Sequence, residues 1–436
     1  MSLITHPLNQ PLRGELQPPG DKSISHRAIL FSSIADGVSQ VRGWLDAADT
    51  RATLNACRAL GVTIEHQGSE VTVHGVGLEG LRASDQPLDL GNSGTGVRLL
   101  MGLLAGQAFT STLSGDHSLS ARPMGRVIRP LTQMGANFES SDERLPVTVH
   151  GGALQAIDYT SPVASAQVKS AILLAGLYAN GATSVTEPAL SRDHTERMLR
   201  DYGVNVDQDG LRVSVRGRSR LRGHDIQVPA DFSSAAFFLV AASIIPGSDI
   251  TLRRVGLNPS RRGLLDLLLQ MGADIDIQPL AEGAEPQADL RVRHSQLRAI
   301  DVPAESVVSA IDEFPILMVA AACAEGTTRI RGAAELRVKE SDRIAVMCQG
   351  LQALGIPVSE QPDGADITGG PAHAGAVAAH DDHRCAMSFA VLGAAAQGPV
   401  QISGADYIAT SYPGFVADFT SLGGRLDQVG TVEDCA

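Results

Sequence analysis

Lysine is almost missing from this chain: of 35 basic residues only Lys22, Lys169 and Lys339 are lysine, and all the others are arginine. Compositional drift can leave a few lysines at arbitrary places. A site keeps lysine, however, where a compact ammonium must sit between two anions or change protonation, because guanidinium is a rigid fork that stays charged. Metal and disulfide spacings are missing too. The five cysteines, at 57, 323, 348, 385 and 435, are odd in number, widely spread, and lack a CxxC pair or a histidine at zinc spacing. Neither a disulfide frame nor a structural metal is suggested. The longest apolar run, Ala235 to Ile245, falls well short of a bilayer span, and the Met-Ser-Leu-Ile start lacks a basic segment followed by an apolar one. A soluble cytoplasmic protein is expected. A net charge of −13 argues against a general nucleic-acid or anionic-membrane surface. An anionic ligand must then be met locally, in a basic pocket.

What is present is a repeated unit. The segments RALGVTIE, TQMGANFE, RDYGVNVD, LQMGADID, QALGIPVSE and TSLGGRLD each end an apolar-periodic helix on a glycine and then start a short strand. Their glycines, Gly61, Gly135, Gly203, Gly272, Gly355 and Gly423, recur at intervals of 68 to 83 residues. Each suits a left-handed helix C-cap. The 436 residues, 43% hydrophobic and 19% charged, suffice for two or three domains with full cores. Six α/β units predict two similar domains of three: residues 20–230, and 1–19 with 231–436. Pro229 breaks the chain just before a small-residue helix with Asp231 or Ser233 as N-cap candidates. Hinges are expected near 13–21 and 226–234, with a cleft between the halves. A passive repeat scaffold has the same pattern.

Candidate chemistry clusters at predicted helix starts. GNSGTGVRLL, from Gly91, can hold an anion on its backbone N–H groups or can be only a tight turn, and Arg98 follows it. GVGLEG, from Gly75, matches the dinucleotide fingerprint formally but leads into RASDQP instead of a long helix, and no Walker lysine pattern exists. In SLSARPMGRVIRPL, Arg126 and Arg129 read as solvated helix charges, whereas Arg122 precedes the helix that Pro123 starts, where a fork can reach a carboxylate or phosphate. SAQVKSAILL places Ser165 and Gln167 at another helix start; Lys169, one turn in, is open between pocket wall and surface. SRDHTERML repeats the arrangement with Arg192.

In the C-terminal half, Asp312 and Glu313 stand directly before an apolar run, and either alone reads as an acid near the positive end of a helix. ELRVKESDRIAVM packs Arg337, Lys339, Glu340, Asp342 and Arg343 into the alternating signs of a solvated helix face, yet it holds one of the three lysines. Arg384 follows His383 before a further small-residue helix, and Cys385 beside it, with no base partner evident, reads as a buried thiol. Lys22, Arg27, Arg122, Arg192, Lys339, Arg343 and Arg384 thus fall at loops or helix starts of different repeats, with Asp312 and Glu340 as acids. Such a lining fits a ligand, or two, carrying phosphate and carboxylate, with acids able to move protons beside them.

The motifs PGDKSISHRA, LGNSGTGVRLL, ARPMGRV, SAQVKSAILLAGL, SRDHTERML, DEFPILMVAAA, ELRVKESDR and DDHRCAMSFA, in this order over nearly the whole chain, resemble the 5-enolpyruvylshikimate-3-phosphate synthase family. ARPMGRV and IDEFPIL look closer to its class II branch. The resemblance implies an α/β fold of two domains, each of three βαβαββ repeats, closing on the substrates. It implies enolpyruvyl transfer from phosphoenolpyruvate to the 5-hydroxyl of shikimate 3-phosphate in aromatic amino-acid biosynthesis, with no metal or organic cofactor and a monomer. By matching position, Lys22 would touch both substrates. Ser23, Arg27, Ser165, Ala166, Gln167 and Arg192 would hold shikimate 3-phosphate, with Asp312 and Lys339. Gly94, Arg122, Gln167, Arg343 and Arg384 would meet phosphoenolpyruvate. Asp312 would take the 5-hydroxyl proton, and Lys339 and Glu340 would orient substrate and pass a proton to the methylene carbon.

Two departures stand out. Many members have a lysine where YIATSYP has Thr410 and Ser411, which puts one phosphate contact in question. Gly94 stands where glyphosate-excluding members can carry alanine, so glyphosate is expected to fit. The rival enolpyruvyl transferase acting on UDP-N-acetylglucosamine carries a cysteine acid in its loop in many members, and SLSARPMGRV has none.

Overall fold

The computed structural model describes residues 2–280 and 284–430, so Cys435 lies outside the described residues. The chain forms two compact units, Gly20–Val228 and Met1–Pro19 joined by Pro229–Ala436. Each has its own hydrophobic core.

Both units are built from one βαβαββ element used three times. In the first unit the second repeat shows it cleanly: strand Leu88–Asp89 runs parallel to Thr110–Ser114, which pairs antiparallel with Val147–His150, which pairs with the edge strand Asn137–Ser140. A parallel neighbour requires a crossover, and a helix supplies it. The same order of first, second, fourth and third strand recurs in the other sheets. Three sheets borrow a strand from a distant part of the chain. Asp225–Gln227 completes the first repeat beside Asp36–Arg42. Arg13–Leu16 opens the fourth beside Asp249–Gly256. Ser2–Thr5 lies between Val400–Ser403 and Leu426–Val429 in the sixth. The fifth repeat has three strands, and its parallel neighbour is reduced to bridges at Arg298 and Asp301.

The crossover helices are α1 (Lys22–Ser33), α2 (Gly94–Ala105) and α3 (Ala166–Gly176) in one unit, and α4 (Phe232–Ile244), α5 (Phe314–Ala322) and α6 (His383–Ala395) in the other. Each unit packs these helices inside and its sheets outside. A helix surrounded by protein needs no polar stripe, and FSSAAFFLVAASI of α4 is buried from Phe232 through Ser243. The strands instead alternate: in Glu70–Val76, Val71 and Val73 point inward between more exposed neighbours. Burying these helices completely leaves only their ends able to present polar groups.

The six repeat glycines behave alike. Gly61, Gly135, Gly203, Gly272, Gly355 and Gly423 have φ between +85° and +105°, a region that L side chains rarely adopt. Each donates its N–H three residues back, and the next residue donates five residues back, as in Gly61 to Arg58 and Val62 to Cys57. This is the Schellman closure, and it turns each second helix into the strand that follows.

Between the units the chain passes through very few residues. Val228 N–H still donates to Arg42 C=O of the first unit, while Ala230 N–H donates to Arg254 C=O and Asp231 N–H to Pro19 C=O of the second. Pro229 between them has no N–H to give.

Candidate active site

In the unit Gly20–Val228, the N-termini of α1, α2 and α3 are tied together by side chains. Asp21 caps α1 through the N–H of Ile24, Ser93 caps α2 through that of Gly96, and Ser165 caps α3 through that of Val168. The first amides of a helix have no intrahelical acceptor, and their partial positive charge favours an anion. Arg98 donates to Gln167 Oε1 at 2.9 Å, and Gln167 Nε2 donates to Thr95 Oγ1 at 3.0 Å. Arg122 Nη2 donates to Asn92 Oδ1 at 2.7 Å. His26 lies 2.8 Å from Thr53 Oγ1 and 3.4 Å from Ser93 Oγ. Its burial, then the charges of Lys22 and Arg27, hold its pKa well below 6.5 and keep the ring neutral. Lys22 Nζ lies 3.0 Å from Asp49 Oδ2, with 18% of the lysine side chain exposed. A buried acid thus aims a partly accessible ammonium.

The unit that ends the chain carries a denser lattice of charge. Asp312 is the hub: Arg261 and Arg343 each approach within 3.6 Å, Arg384 within 3.9 Å and Lys339 within 4.0 Å. These cations come from three repeats. Arg343, 1% exposed, donates from Nε to Asp382 Oδ2 at 2.7 Å and from Nη2 to Glu340 Oε2 at 2.5 Å. Burial would lower its pKa, but Asp382, Glu340 and Asp312 raise it far above the usual value. Asp382 also caps α6, accepting from the N–H groups of Arg384 and Cys385. His380 and Asp381, just before it, both adopt left-handed φ, a region that few residues other than glycine enter and that Asp and His tolerate better than most. Arg384 Nη1 donates to the Asp312 carbonyl at 3.1 Å. Desolvation lowers the Lys339 pKa below 10.5 against the pull of Asp312, although 26% of the side chain is exposed.

Most of the residues expected from sequence lie in one of these two groups. Lys22, Ser23, Arg27, Gly94, Arg122, Ser165, Ala166 and Gln167 belong to the first, and Asp312, Lys339, Glu340, Arg343 and Arg384 to the second. Arg27 is buried rather than presented at a surface: it donates to Thr195 Oγ1, Ser170 Oγ and the Ser23 carbonyl. Arg192 occupies the turn before the helix His194–Asp201 and stays partly exposed. Arg126 and Arg129 are exposed, and Arg129 pairs with Glu143.

Three expectations need correction. Lys169 is neither pocket wall nor surface; it is 2% exposed and bound to Glu187 and Glu196. ELRVKESDRIAVM is not one solvated helix face. A 3-10 turn, Ala334–Val338, breaks before Lys339, and a new helix, Arg343–Ala353, starts after the Asp342 cap. Pro123 does not start its helix, which begins at Gly125, and a short helix, His117–Ala121, precedes Arg122. Thr410 Oγ1 donates to the Tyr407 carbonyl within a 3-10 turn.

Sequence reading passed over Arg261, Asp49, His26 and Asp382. Arg261 was signalled only by its repeat position, in NPSRRG just ahead of the helix Gly263–Gln270. Asp49 and Asp382 resemble ordinary caps until their lysine or arginine partner is seen. Cys385 fits a buried thiol, its pKa raised well above 9.0 by desolvation and Asp382.

Two units of three βαβαββ repeats are the enolpyruvyl transferase fold: the chain overlays the enolpyruvyl transferase NikO of Streptomyces tendae with a TM-score of 0.78 over 99% of both chains, at 19% identity, a likeness of fold alone. The model of the EPSP synthase (3-phosphoshikimate 1-carboxyvinyltransferase) family matches residues 8–419. A 3-phosphoshikimate 1-carboxyvinyltransferase of Alkalilimnicola ehrlichii is 60% identical over 93% of this chain and 92% of its own. The solved EPSP synthase of Acinetobacter baumannii has a TM-score of 0.89 and 48% identity, covering 98% of this chain and all of that one. The chain belongs to the EPSP synthase family.

Proposed function

We propose that the two groups of residues carry out the reaction of this family: transfer of the enolpyruvyl group of phosphoenolpyruvate to the 5-hydroxyl of shikimate 3-phosphate, with release of phosphate, in aromatic amino-acid biosynthesis. The observation that carries the reading is Asp312 ringed by four cations, the partly accessible Lys339 among them, with Glu340 next in the chain.

The helix starts at Lys22, Gly94 and Ser165 suit anions, since their first amides and hydroxyls carry partial positive charge toward a ligand. Ser23, Arg27, Ser165, Ala166, Gln167 and Arg192 are assigned to shikimate 3-phosphate, and Arg122, Arg343 and Arg384 to phosphoenolpyruvate, with Gly94 and Gln167 beside it. Asp312 accepts the 5-hydroxyl proton while the oxygen attacks C2 of phosphoenolpyruvate. Glu340, with Lys339 orienting the substrate, delivers a proton to the methylene carbon, giving a tetrahedral intermediate. In the second half a proton returns from the methyl group and Lys22 assists the departing phosphate, so that the C–O bond to phosphate breaks as the double bond re-forms. The Lys22–Asp49 contact supports this role: an acid partner steadies the ammonium until phosphate competes for it. The segments 13–21 and 226–234 are assigned as the hinge of a closing motion, and a cytoplasmic monomer completes the proposal.

The test is phosphate release by the purified protein supplied with shikimate 3-phosphate and phosphoenolpyruvate, each omitted in turn. Release that needs both is expected. Release only with UDP-N-acetylglucosamine as acceptor would overturn the assignment. A binding scaffold would release none and would keep its ligand affinity after Asp312→Ala.

A further inference from the structure

The third lysine has no part in the chemistry above, yet it sits one turn inside the helix whose start is assigned to shikimate 3-phosphate. Lys169 Nζ lies 2.8 Å from Glu187 Oε2 and 2.8 Å from Glu196 Oε1; the three side chains are 3%, 3% and 0% exposed. Burial alone would lower the lysine pKa, but the two carboxylates raise it above 10.5, so the ammonium persists. Glu187 spends its oxygens on two further groups. Oε1 accepts the Ser165 N–H at 2.8 Å, and Oε2 accepts the Ser191 hydroxyl at 2.7 Å. Ser165 caps α3, and Ser191 adjoins Arg192. A buried carboxylate therefore clamps both chain segments assigned to one substrate, and the lysine holds that carboxylate in place.

The arrangement exceeds what stability requires. Buried ion pairs often contribute less than apolar residues of the same volume, whereas removing one partner leaves a costly uncompensated charge. Two carboxylates sharing one buried site repel each other, and without Lys169 one must take a proton or move. Either change weakens the acceptor that fixes the Ser165 N–H. The neighbouring helix is linked as well: Ser170 Oγ lies 2.7 Å from Thr195 Oγ1, and both accept from Arg27.

We infer that Lys169, Glu187 and Glu196 form a buried positioning network that sets the Ser165 cap and the Ser191–Arg192 turn, and thereby the affinity for shikimate 3-phosphate far more than that for phosphoenolpyruvate, which shares only Gln167 with these segments. The inference rests on the substrate assignment proposed above. None of the three side chains needs to touch substrate.

Three variants test it in the full-length protein: Glu187→Gln, Lys169→Met, and the double change Lys169→Met with Glu196→Gln. Glu187→Gln keeps the Lys169–Glu196 pair and so protects the fold; the double variant restores the buried charge balance that Lys169→Met alone upsets. Thermal melting checks folding, and calorimetric Kd for shikimate 3-phosphate is set against the KM for phosphoenolpyruvate. Glu187→Gln and any folded Lys169→Met should weaken shikimate 3-phosphate about tenfold, the loss of one hydrogen bond to a charged group, with the phosphoenolpyruvate KM within about twofold. The double variant should recover most of that loss. A Glu187→Gln protein that melts like the parent and keeps both constants would overturn the inference, as would a double variant no better than Lys169→Met. If the parent protein itself neither binds shikimate 3-phosphate nor releases phosphate, the substrate assignment has failed instead.

Discussion

The two units share one fold and one way of presenting helix starts, yet they furnish them differently. Around α1, α2 and α3 the cations Lys22, Arg27, Arg98 and Arg122 are interleaved with serine, threonine, asparagine and glutamine side chains, and the acids Asp21 and Asp49 serve as a cap and a lysine partner. Around α4, α5 and α6 the same places hold Asp231, Arg261, Asp312, Glu313, Asp382 and Arg384, in contact with Lys339, Glu340 and Arg343. Cations separated by neutral donors suit a ligand whose charge does not change. Interlocked acids and bases suit groups between which protons must travel. On the proposed assignment, shikimate 3-phosphate recognition falls mainly to one unit and proton transfer mainly to the other.

The strongest way to break that division is Asp312→Ala. Loss of a general base should lower kcat by roughly 10²–10⁴-fold, with shikimate 3-phosphate affinity changed far less; an equal loss in both would erase the distinction between units. Arg261→Met comes next. Arg261 is 3% exposed at the side chain, with Asp231, Asp312 and Glu313 within 3.8 Å, and its Nη2 donates to Ser233 Oγ at 2.6 Å. Its removal leaves buried carboxylates short of a cation and should cost about 3–5 kcal/mol of stability, read from urea unfolding. Gly94→Ala acts on the recognition side. A Cβ there would stand 2.9 Å from Arg98 Nη1 and 3.2 Å from Arg122 Nη1. Both are ends of flexible side chains, so the fold should survive while the guanidinium groups shift, weakening phosphoenolpyruvate by about tenfold and glyphosate inhibition by more. Unchanged inhibition would count against a role for Gly94.

The smallest expected effect concerns pH. His26 is neutral in the folded protein because its pKa is well below 6.5, whereas the unfolded chain protonates near 6.5. The unfolded state then binds the extra proton, so this part of the stability is whole above pH 6.5 and is lost as pH falls toward the folded pKa. His26→Asn should lose about 1 kcal/mol less than the parent between pH 6.5 and 5.5, by urea unfolding at each pH. Equal losses would remove His26 as the source.

The repeat was legible in sequence because one backbone requirement forces one residue: all six glycines sit at positive φ and close the same helix end. The helix starts were legible for a related reason, since caps are short polar residues before apolar runs; Asp231 and Ser165 each fill that role. Partnerships were not legible. Nothing local says that Lys169 turns inward to meet Glu187 and Glu196, 18 and 27 positions away, or that Arg261 faces Asp312. Alternating charge in ELRVKESDR misled because periodicity cannot show that Lys339 breaks the helix.

The strand Ser2–Thr5 fills the middle of the last sheet, between Val400–Ser403 and Leu426–Val429. Its partners are the last strands made, some 400 residues later. On the ribosome, Gly20–Val228 emerges as an uninterrupted stretch and can fold while synthesis continues. The other unit cannot be completed until Leu426–Val429 has been made, since its sixth sheet joins that strand and Val400–Ser403 to Ser2–Thr5. Such distant pairing is slow to form, and deletion of Ser2–Thr5 should leave the sixth sheet of the acid-rich unit without its central strand while sparing the unit Gly20–Val228.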